Sequence, residues 1–220
     1  MRRDDTVARI EKLGLVPVVR APSAAVALRT ARAVFAGGID VLEITMTVPD
    51  ALAVLRQLAA ELGDRIVLGA GTVLDPETAR ACIAAGAQFI VAPGLDLEVV
   101  RTARELETPV MPGALTPTEV IGAWHAGADM VKVFPCSAVG GAAYIRALKA
   151  PLPQVKLLPT GGVDRHTAAD YIRAGASALG IGAALIDVKA LQQEGDEALS
   201  ARARELVEIV RSTRAQLGAG

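Results

Sequence analysis

The sequence has little of what several classes of protein require. Only 3% of its 220 residues are aromatic, so it lacks the rings on which a base-stacking nucleic-acid binder relies. Lysine and arginine total 23 against 24 aspartates and glutamates, and this balance gives no general attraction to DNA, RNA or anionic lipid. No apolar run reaches the roughly 18 residues that a membrane-spanning helix needs. We therefore expect neither a nucleic acid nor a membrane as a partner.

Cysteine and histidine are also scarce. Cys82 and Cys136 are too few and too isolated for a disulfide framework, and residues 1–5 do not resemble a signal peptide, so we expect a cytoplasmic protein. His125 and His166 are the only histidines, which excludes a three-histidine zinc site, and no HxxH or CxxC spacing is present. Without a G-x-S-x-G motif, a Ser-His-Asp hydrolase is disfavoured as well. No metal is expected.

What the sequence does contain is a short apolar run followed by a helix-period stretch, many times over. Short runs of this kind are typical of strands buried on both faces of a parallel sheet. Eight of them, with intervening helices and no linker, predict an α/β fold with a single (β/α)8 TIM barrel over residues 1–220. A doubly wound sheet is the alternative. The eight runs lie at residues 15–20, 41–45, 66–71, 89–92, 110–112, 130–134, 156–159 and 178–181.

Helix boundaries carry their own signals. An extra N-terminal helix is predicted at residues 4–13 and a long closing helix at residues 199–217. Thr116-Pro117-Thr118-Glu119 is a capping box with proline at the first helical position. Further N-caps and left-handed glycines after helix ends are predicted from composition and position. The N-caps are Asp50, Asp96 and Asp164, and the glycines are Gly37, Gly86, Gly127 and Gly175.

A lysine interrupts one of the apolar runs. Alternation places Met130, Lys132 and Phe134 on one face of the strand and two valines on the other. If the valines face the helices, Lys132 points into the barrel, where loss of water favours the neutral amine. A neutral amine in a dry cavity is what Schiff-base formation with a ketone requires. The alternative is a structural lysine, solvated or held in an ion pair.

Glu43 presents the same pattern in the second run. Leu42 and Ile44 share one face, which leaves Glu43 on the interior face with Val41 and Thr45. A buried carboxyl group needs a partner or a raised pKa, and Lys132 is the obvious partner. Such a carboxyl group can move protons near neutral pH. A structural ion pair with no chemistry is the alternative.

Candidate anion-binding groups lie at the ends of other strands. Arg20 ends the first run and is able to clamp a carboxylate, although it is equally compatible with a solvated side chain. Gly71 and Thr72 offer backbone amides and a hydroxyl, although an ordinary turn explains them nearly as well. Bare backbone after the seventh and eighth runs, at residues 160–163 and 180–184, matches the recurrent phosphate site of barrels.

The chain resembles a known enzyme family over about residues 10–186. It is similar to the 2-keto-3-deoxy-6-phosphogluconate (KDPG) and 4-hydroxy-2-oxoglutarate (KHG) aldolases, class I enzymes with a (β/α)8 barrel that are usually homotrimers and need no cofactor. The motifs that carry the resemblance are Ala36-Gly37-Gly38-Ile39, Leu42-Glu43-Ile44-Thr45, Gly69-Ala70-Gly71-Thr72-Val73, Ala92-Pro93-Gly94-Leu95, Met111-Pro112-Gly113, Val131-Lys132-Val133-Phe134-Pro135 and Pro159-Thr160-Gly161-Gly162-Val163.

The resemblance implies a role for each matching residue and names the partners, a phosphorylated 2-keto sugar acid and pyruvate. Lys132 is implied as the Schiff-base lysine and Glu43 as the acid and base. The remaining roles concern the pyruvyl carboxylate, the cavity wall and the distal phosphate. They fall to Arg20, Thr72, Gly71 and Thr160 for the carboxylate, to Pro93 and Phe134 for the wall, and to Gly161, Gly162, Gly182 and Ala183 for the phosphate.

Two positions depart from the family pattern. Thr47 stands where some members carry an arginine, which leaves more of the carboxylate's charge to Arg20. Ala183 stands where a serine is usual, and the lost hydroxyl removes a hydrogen bond worth roughly 0.5–1.5 kcal/mol. We expect KDPG cleavage, with KHG or 2-keto-3-deoxy-6-phosphogalactonate as alternative substrates. A barrel that serves as a structural or engineered assembly subunit is the alternative outside catalysis.

Overall fold

The computed structural model describes residues 2–218. Within this range short parallel strands alternate with helices. The strands are β1 (Leu15–Val19), β2 (Val41–Thr45), β3 (Val67–Gly71), β4 (Phe89–Val91), β5 (Val110–Met111), β6 (Gly113–Ala114), β7 (Val131–Val133), β8 (Leu157–Pro159) and β9 (Leu179–Ile181). The helices are α1 (Arg3–Leu13), α2 (Ala24–Ala36), α3 (Ala51–Leu62), α4 (Pro76–Ala84), α5 (Leu97–Glu105), α6 (Pro117–His125), α7 (Ala142–Lys149), α8 (Ala168–Arg173), α9 (Val188–Glu194) and α10 (Asp196–Gly218).

The strands form two parallel sheets, which confirms the predicted α/β class. One sheet has the order β5-β4-β3-β2-β1-β9 and the other the order β6-β7-β8. Every predicted apolar run contains a strand, but the fifth run continues beyond its predicted end as a second short strand, β6. Pro112 separates β5 from β6 and has no N–H to donate to a neighbouring strand. An isolated parallel bridge between Thr160 and Gly180 links the ends of β8 and β9.

Side chains alternate between two hydrophobic clusters, one on each side of the strands. The outer cluster joins the strands to the helices and contains Leu42, Ile44, Val131 and Val133. The inner cluster, on the face of the strands opposite the outer cluster, takes two side chains from α1 and the rest from strands and their immediate flanks. Its members are Val7, Ile10, Val16, Val41, Val67, Phe89, Val91, Met111, Met130, Leu158 and Ala178. The side chains between the outward-facing ones, Glu43 and Lys132 among them, therefore point to the interior.

The predicted caps were partly correct. The Thr116–Glu119 capping box is present, and Asp96 accepts from two N–H groups at the start of α5. Asp50 occupies the predicted N-cap position of α3, but its backbone is left-handed (φ 56°) and its side chain makes no capping bond. Asp164 binds the N–H groups of residues 166 and 167, one turn before α8 begins. The left-handed glycine after α2 is Gly38 rather than Gly37.

Among residues 2–218, no helix combines the length and the apolar character that crossing a lipid bilayer demands. The longest, α10, runs for 23 residues but carries charged side chains along its length. It packs on α2 and α8.

Candidate active site

A cavity of about 300 Å³ opens among the loops that follow β1, β7, β8 and β9. Two of its lining residues, Arg20 and Lys132, are cationic. Thr160 and Phe134 add a hydroxyl and an aromatic ring. The rest of the wall is Val18, Gly161, Gly162, Val163, Asp164, Gly180, Gly182, Ala183 and Ala184. The predicted lysine, one predicted arginine and both predicted glycine loops thus meet in one cavity at the carboxyl ends of parallel strands.

Lys132 lies in the wall of this cavity. The residue is only 3% exposed, and its backbone pairs with Gly113 on one side and Leu158 on the other. Its Nζ stands 5.4 Å from the centroid of the Phe134 ring and makes no ion pair or hydrogen bond with a described residue. The amine is therefore withdrawn from bulk water and free to meet a ligand in the cavity. This agrees with the interior orientation predicted from alternation.

Glu43 is more deeply buried than the lysine. It is 1% exposed, and its Oε1 is buried without a hydrogen-bond partner among the described residues. Its carboxyl group packs over Gly71, where any Cβ would overlap Oε1, so this strand end has to be glycine. Burial raises the pKa of Glu43, while the charges of Lys132 and Arg20 act in the opposite direction. The direct Glu43–Lys132 ion pair considered from the sequence is not formed.

Besides Glu43, three of the predicted residues do not line the cavity. Gly71 lies beneath the Glu43 carboxyl group. Thr72 follows it with φ 60°, a left-handed conformation that a β-branched residue rarely adopts. The carbonyl oxygen of Pro93 lies against Gly113, the β6 residue that pairs with Lys132. All three belong to the wall around β3, β4 and β6, so they surround the two ionisable groups rather than the cavity mouth.

The loop after β8 holds its carbonyl groups against the protein. The Gly161 oxygen accepts from the Ser137 N–H at 3.2 Å and from the buried Tyr171 hydroxyl at 3.5 Å. The Gly162 oxygen accepts from the Thr167 hydroxyl at 2.9 Å. In a trans peptide the C=O and the following N–H point in opposite directions. The N–H groups that follow these two carbonyls, on Gly162 and Val163, therefore face away from their anchors.

The loop after β9 supplies further amides. The Gly182 oxygen accepts from the N–H groups of Leu185 and Ile186 at 3.0 and 2.9 Å, which closes a single helical turn. The N–H groups of Ala183 and Ala184 at the start of this turn donate to no described carbonyl. Converging free amides of this kind attract anions. The two loops together form a cradle suited to an anionic end of a ligand.

Several lining residues were not predicted. Val18 lies on the same face of β1 as Arg20, so alternation along that strand would have found it. Gly180, by contrast, belongs to the predicted loop at residues 180–184, and it is opposite Thr160, where any Cβ would overlap the threonine Oγ1. Asp164 was predicted only as a cap. Nothing in its local sequence indicated that it also lies in the cavity wall.

Metal ligands are not clustered in the described part of the chain. Among residues 2–218, no group of three or more His, Cys, Asp or Glu side chains is arranged to hold a metal ion. The polar side chains in the cavity wall are the Lys132 amine, the Arg20 guanidinium group, the Asp164 carboxyl group and the Thr160 hydroxyl.

An unpaired amine in the wall of a parallel sheet, near a buried carboxyl group and a cradle of amides, is the arrangement of a class I aldolase. A model of the KDPG and KHG aldolase family matches residues 7–201. The 2-dehydro-3-deoxy-phosphogluconate aldolase of Pseudomonas aeruginosa is 37% identical over 207 residues, which cover 94% of this chain and 92% of that protein. The chain belongs to the KDPG and KHG aldolase family and is a carbon–carbon lyase.

Two further comparisons agree. The KHG/KDPG aldolase of Escherichia coli (strain K12) is 36% identical over 195 residues, 88% of this chain and 91% of that protein. A solved structure of KDPG aldolase from Legionella pneumophila, with pyruvate captured at low pH as a covalent carbinolamine intermediate, superposes with a TM-score of 0.84. Its identity to this chain is 30%, over 91% of this chain and 97% of that one.

Proposed function

We propose that this protein is a class I aldolase that reversibly cleaves 2-keto-3-deoxy-6-phosphogluconate into pyruvate and D-glyceraldehyde 3-phosphate. The observation that carries this proposal is the Lys132 amine at the edge of the cavity. Lys132 is only 3% exposed, and its amine makes no ion pair or hydrogen bond with any residue that the structure describes. Family membership supports the same activity. The proposed reaction needs no metal or organic cofactor.

Lys132 supplies the electron sink. Its neutral amine attacks the C2 ketone of the substrate to give a carbinolamine, and loss of water leaves an iminium cation. When the C3–C4 bond breaks, its electron pair moves into the iminium and yields a pyruvyl enamine. Protonation of the enamine carbon and hydrolysis of the resulting iminium release pyruvate and restore the amine.

Glu43 moves the protons. As a carboxylate it accepts the proton of the C4 hydroxyl, directly or through one water molecule, while the C3–C4 bond breaks. It then returns a proton to the enamine. Burial supports this role because it raises the pKa of the carboxyl group, so that gain and loss of a proton become closer in free energy near neutral pH. The buried Oε1 has no hydrogen-bond partner among the described residues, so this oxygen is not committed to another protein group.

The other predicted roles divide between the two ends of the substrate. The pyruvyl carboxylate is held by Arg20, Thr160, Thr72 and the amides near Gly71. Arg20 carries more of this charge because Thr47, whose hydroxyl bonds Thr45 at 2.7 Å, is not a cation. Phe134 and Pro93 exclude water around the amine. Gly161, Gly162, Gly182 and Ala183 hold the distal phosphate through backbone N–H groups.

We further propose that the two sheets close into one eight-stranded barrel, with β5 and β6 together as the fifth stave and α1 as an added N-terminal helix. The Thr160–Gly180 bridge and a bond from the Ser177 N–H to the Leu157 oxygen at 2.9 Å support closure between β8 and β9. The Lys132 N–H donates to Pro112 between β5 and β6 at 2.9 Å. One domain over residues 1–220, a homotrimer and a cytoplasmic location stay predictions.

A second substrate class is favoured by one observation. Ala183 and Ala184 give the phosphate end of the cavity two methyl groups and no hydroxyl, which lowers the advantage of a phosphorylated substrate. 4-Hydroxy-2-oxoglutarate, which has no phosphate, is therefore the alternative substrate.

Covalent trapping tests the proposed function. Pyruvate followed by borohydride converts the iminium to a stable secondary amine, so intact mass should rise by one pyruvyl group and peptide mapping should place it on Lys132. Lys132→Arg keeps a cation but should lose both trapping and cleavage. Lys156→Arg, at a lysine that pairs with Glu11 at 2.8 Å, is the matched control and should still be trapped. Unmodified Lys132 in an active, pyruvate-treated sample would refute the assignment.

A further inference from the structure

We propose that the Ser137 hydroxyl is a further binding group for the distal phosphate and helps to determine preference for phosphorylated substrates. The inference rests on the proposed function and concerns the same site. Ser137 lies in the 3₁₀ turn Cys136–Val139, which follows β7, the strand that carries Lys132. None of the sequence motifs pointed to it.

The position of Ser137 relative to Gly162 is the first observation. A Cβ built on Gly162 would overlap the Ser137 Cβ and lie 3.0 Å from Ser137 Oγ, so the serine side chain stands directly beside the glycine. The Ser137 N–H anchors the Gly161 oxygen at 3.2 Å, which ties the two loops together. Although the Gly162 N–H faces away from the Ser137 N–H, the Ser137 side chain stands beside Gly162 at the edge of the cavity lining, so a phosphate group bound at this N–H would lie next to the hydroxyl.

The second observation is that this hydroxyl is unused. Ser137 is exposed, and its Oγ makes no hydrogen bond with a described residue. The neighbouring hydroxyl of Thr167 is already committed to the Gly162 oxygen at 2.9 Å. The hydroxyl of the buried residue Tyr171 likewise already donates to the Gly161 oxygen at 3.5 Å. Ser137 is thus the free hydroxyl next to the amide cradle.

The third observation is the charge at this end of the cavity. Asp164 lies in the wall, and hydrogen bonds from residues 166 and 167 outweigh the effect of burial and lower the pKa of its carboxyl group. This negative charge opposes a phosphate dianion, while Ala183 and Ala184 donate only through the backbone. An additional O–H donor counteracts that repulsion, and a hydrogen bond to a charged group is among the stronger ones.

Substrate pairs test the proposal. For Ser137→Ala, the ratio of kcat/KM for KDPG to kcat/KM for its dephosphorylated form should fall about tenfold, chiefly through KM of KDPG, as expected for loss of a hydrogen bond to a charged group. Adding Ala183→Ser to Ser137→Ala should restore the ratio, because it returns a hydroxyl to the cradle. Ser212→Ala, which removes a hydroxyl from α10, is the control and should leave the ratio unchanged.

The outcomes separate this inference from the proposed function. If the ratio is unchanged in Ser137→Ala, or if both substrates lose activity equally, Ser137 is not a phosphate-binding group. Pyruvate trapping on Lys132 is measured in each variant alongside the kinetics. If pyruvate still traps Lys132 in Ser137→Ala while the kcat/KM ratio of the two substrates is unchanged, only the role of Ser137 is overturned. Absence of trapping in the unmodified protein overturns the proposed function itself.

Discussion

At the scale of single residues, the candidate site contains buried polar groups that lack interaction partners among the described residues. Within residues 2–218, Lys132 has no ion-pair partner and one oxygen of Glu43 has no hydrogen-bond partner, although both residues are buried. Leaving such groups unsatisfied is unfavourable for folding, and it is typical of sites where a ligand completes the interactions. Position 71 has to be glycine because any side chain there would overlap the Glu43 carboxyl group.

The raised pKa of Glu43 predicts how stability depends on pH. The folded state holds the proton more tightly than the unfolded state, so folding becomes less favourable as the pH rises from the unfolded-state pKa through the folded-state pKa. Glu43→Gln removes this penalty. The melting temperature of the variant relative to the unmodified protein should therefore be higher at pH 8 than at pH 4, as thermal unfolding followed by circular dichroism would measure.

Glu61 provides a matched control of opposite sign. A hydrogen bond from Arg32 lowers the pKa of this exposed carboxyl group. Its contribution to stability is present above the unfolded-state pKa and is lost as the pH falls through the folded-state pKa. Glu61→Gln should therefore become relatively less stable as the pH rises. A Glu43→Gln difference that is constant with pH, or that runs in the Glu61 direction, contradicts the assigned burial effect.

At the scale of secondary-structure elements, the strands are short and their ends carry the chemistry. β7 and β8 have three residues each, yet every residue in them is buried, which is possible because both of their faces are covered. The loop after β8 contains Gly161 and Gly162, and the loop after β9 begins at Gly182, so backbone amides rather than long side chains line this part of the cavity. The split between β5 and β6 follows from proline, which interrupts the ladder where Gly113 approaches the Pro93 backbone.

Helix α1 makes a testable contribution at this scale. Ile10 is fully buried and joins the inner cluster with Val7, so α1 covers side chains that the strands enclose. Ile10→Ala should lower the free energy of unfolding by about 2–5 kcal/mol, measured by urea denaturation. Lys12→Ala on the exposed face of the same helix should change it by less than about 0.5 kcal/mol. Equal effects would mean that α1 does not pack as described.

At the scale of the whole molecule, the two hydrophobic clusters fill different spaces. The inner cluster fills the space at the amino-terminal ends of the strands, and the outer cluster fixes the helices around them. Glu43, Thr45, Lys132 and Thr160 are the polar exceptions among buried strand or strand-end residues that face inward. The cavity thus rests on a hydrophobic floor, which limits the access of water to the amine from below.

A single domain predicts a single unfolding transition. The chain has one tryptophan, Trp124 on α6, which packs against the outer cluster, whereas far-UV circular dichroism reports on all helices. If residues 1–220 form one cooperative unit, the two signals should give the same urea midpoint. Midpoints that differ beyond error would show two units that unfold separately, and would contradict the single-domain proposal.

Much of this molecule was determined by the sequence alone. Period-two alternation indicated which face of each strand is interior, because buried parallel strands leave few polar residues and each one stands out, as Lys132 and Glu43 do. The eight apolar runs, the Thr116–Glu119 capping box and each short motif of the family resemblance were also local properties of the chain. Each depends on neighbours within a few residues, where sequence order and spatial order coincide.

Other features were decided only by the tertiary structure. The unformed Glu43–Lys132 ion pair, the left-handed Asp50 and Asp164 in the cavity wall all depend on contacts between distant segments. The same holds for Ser137 beside Gly162, since two loops about 25 residues apart meet only when β7 and β8 lie side by side. Alternation states which way a side chain points, but the distance between two such side chains is set by how the strands pack.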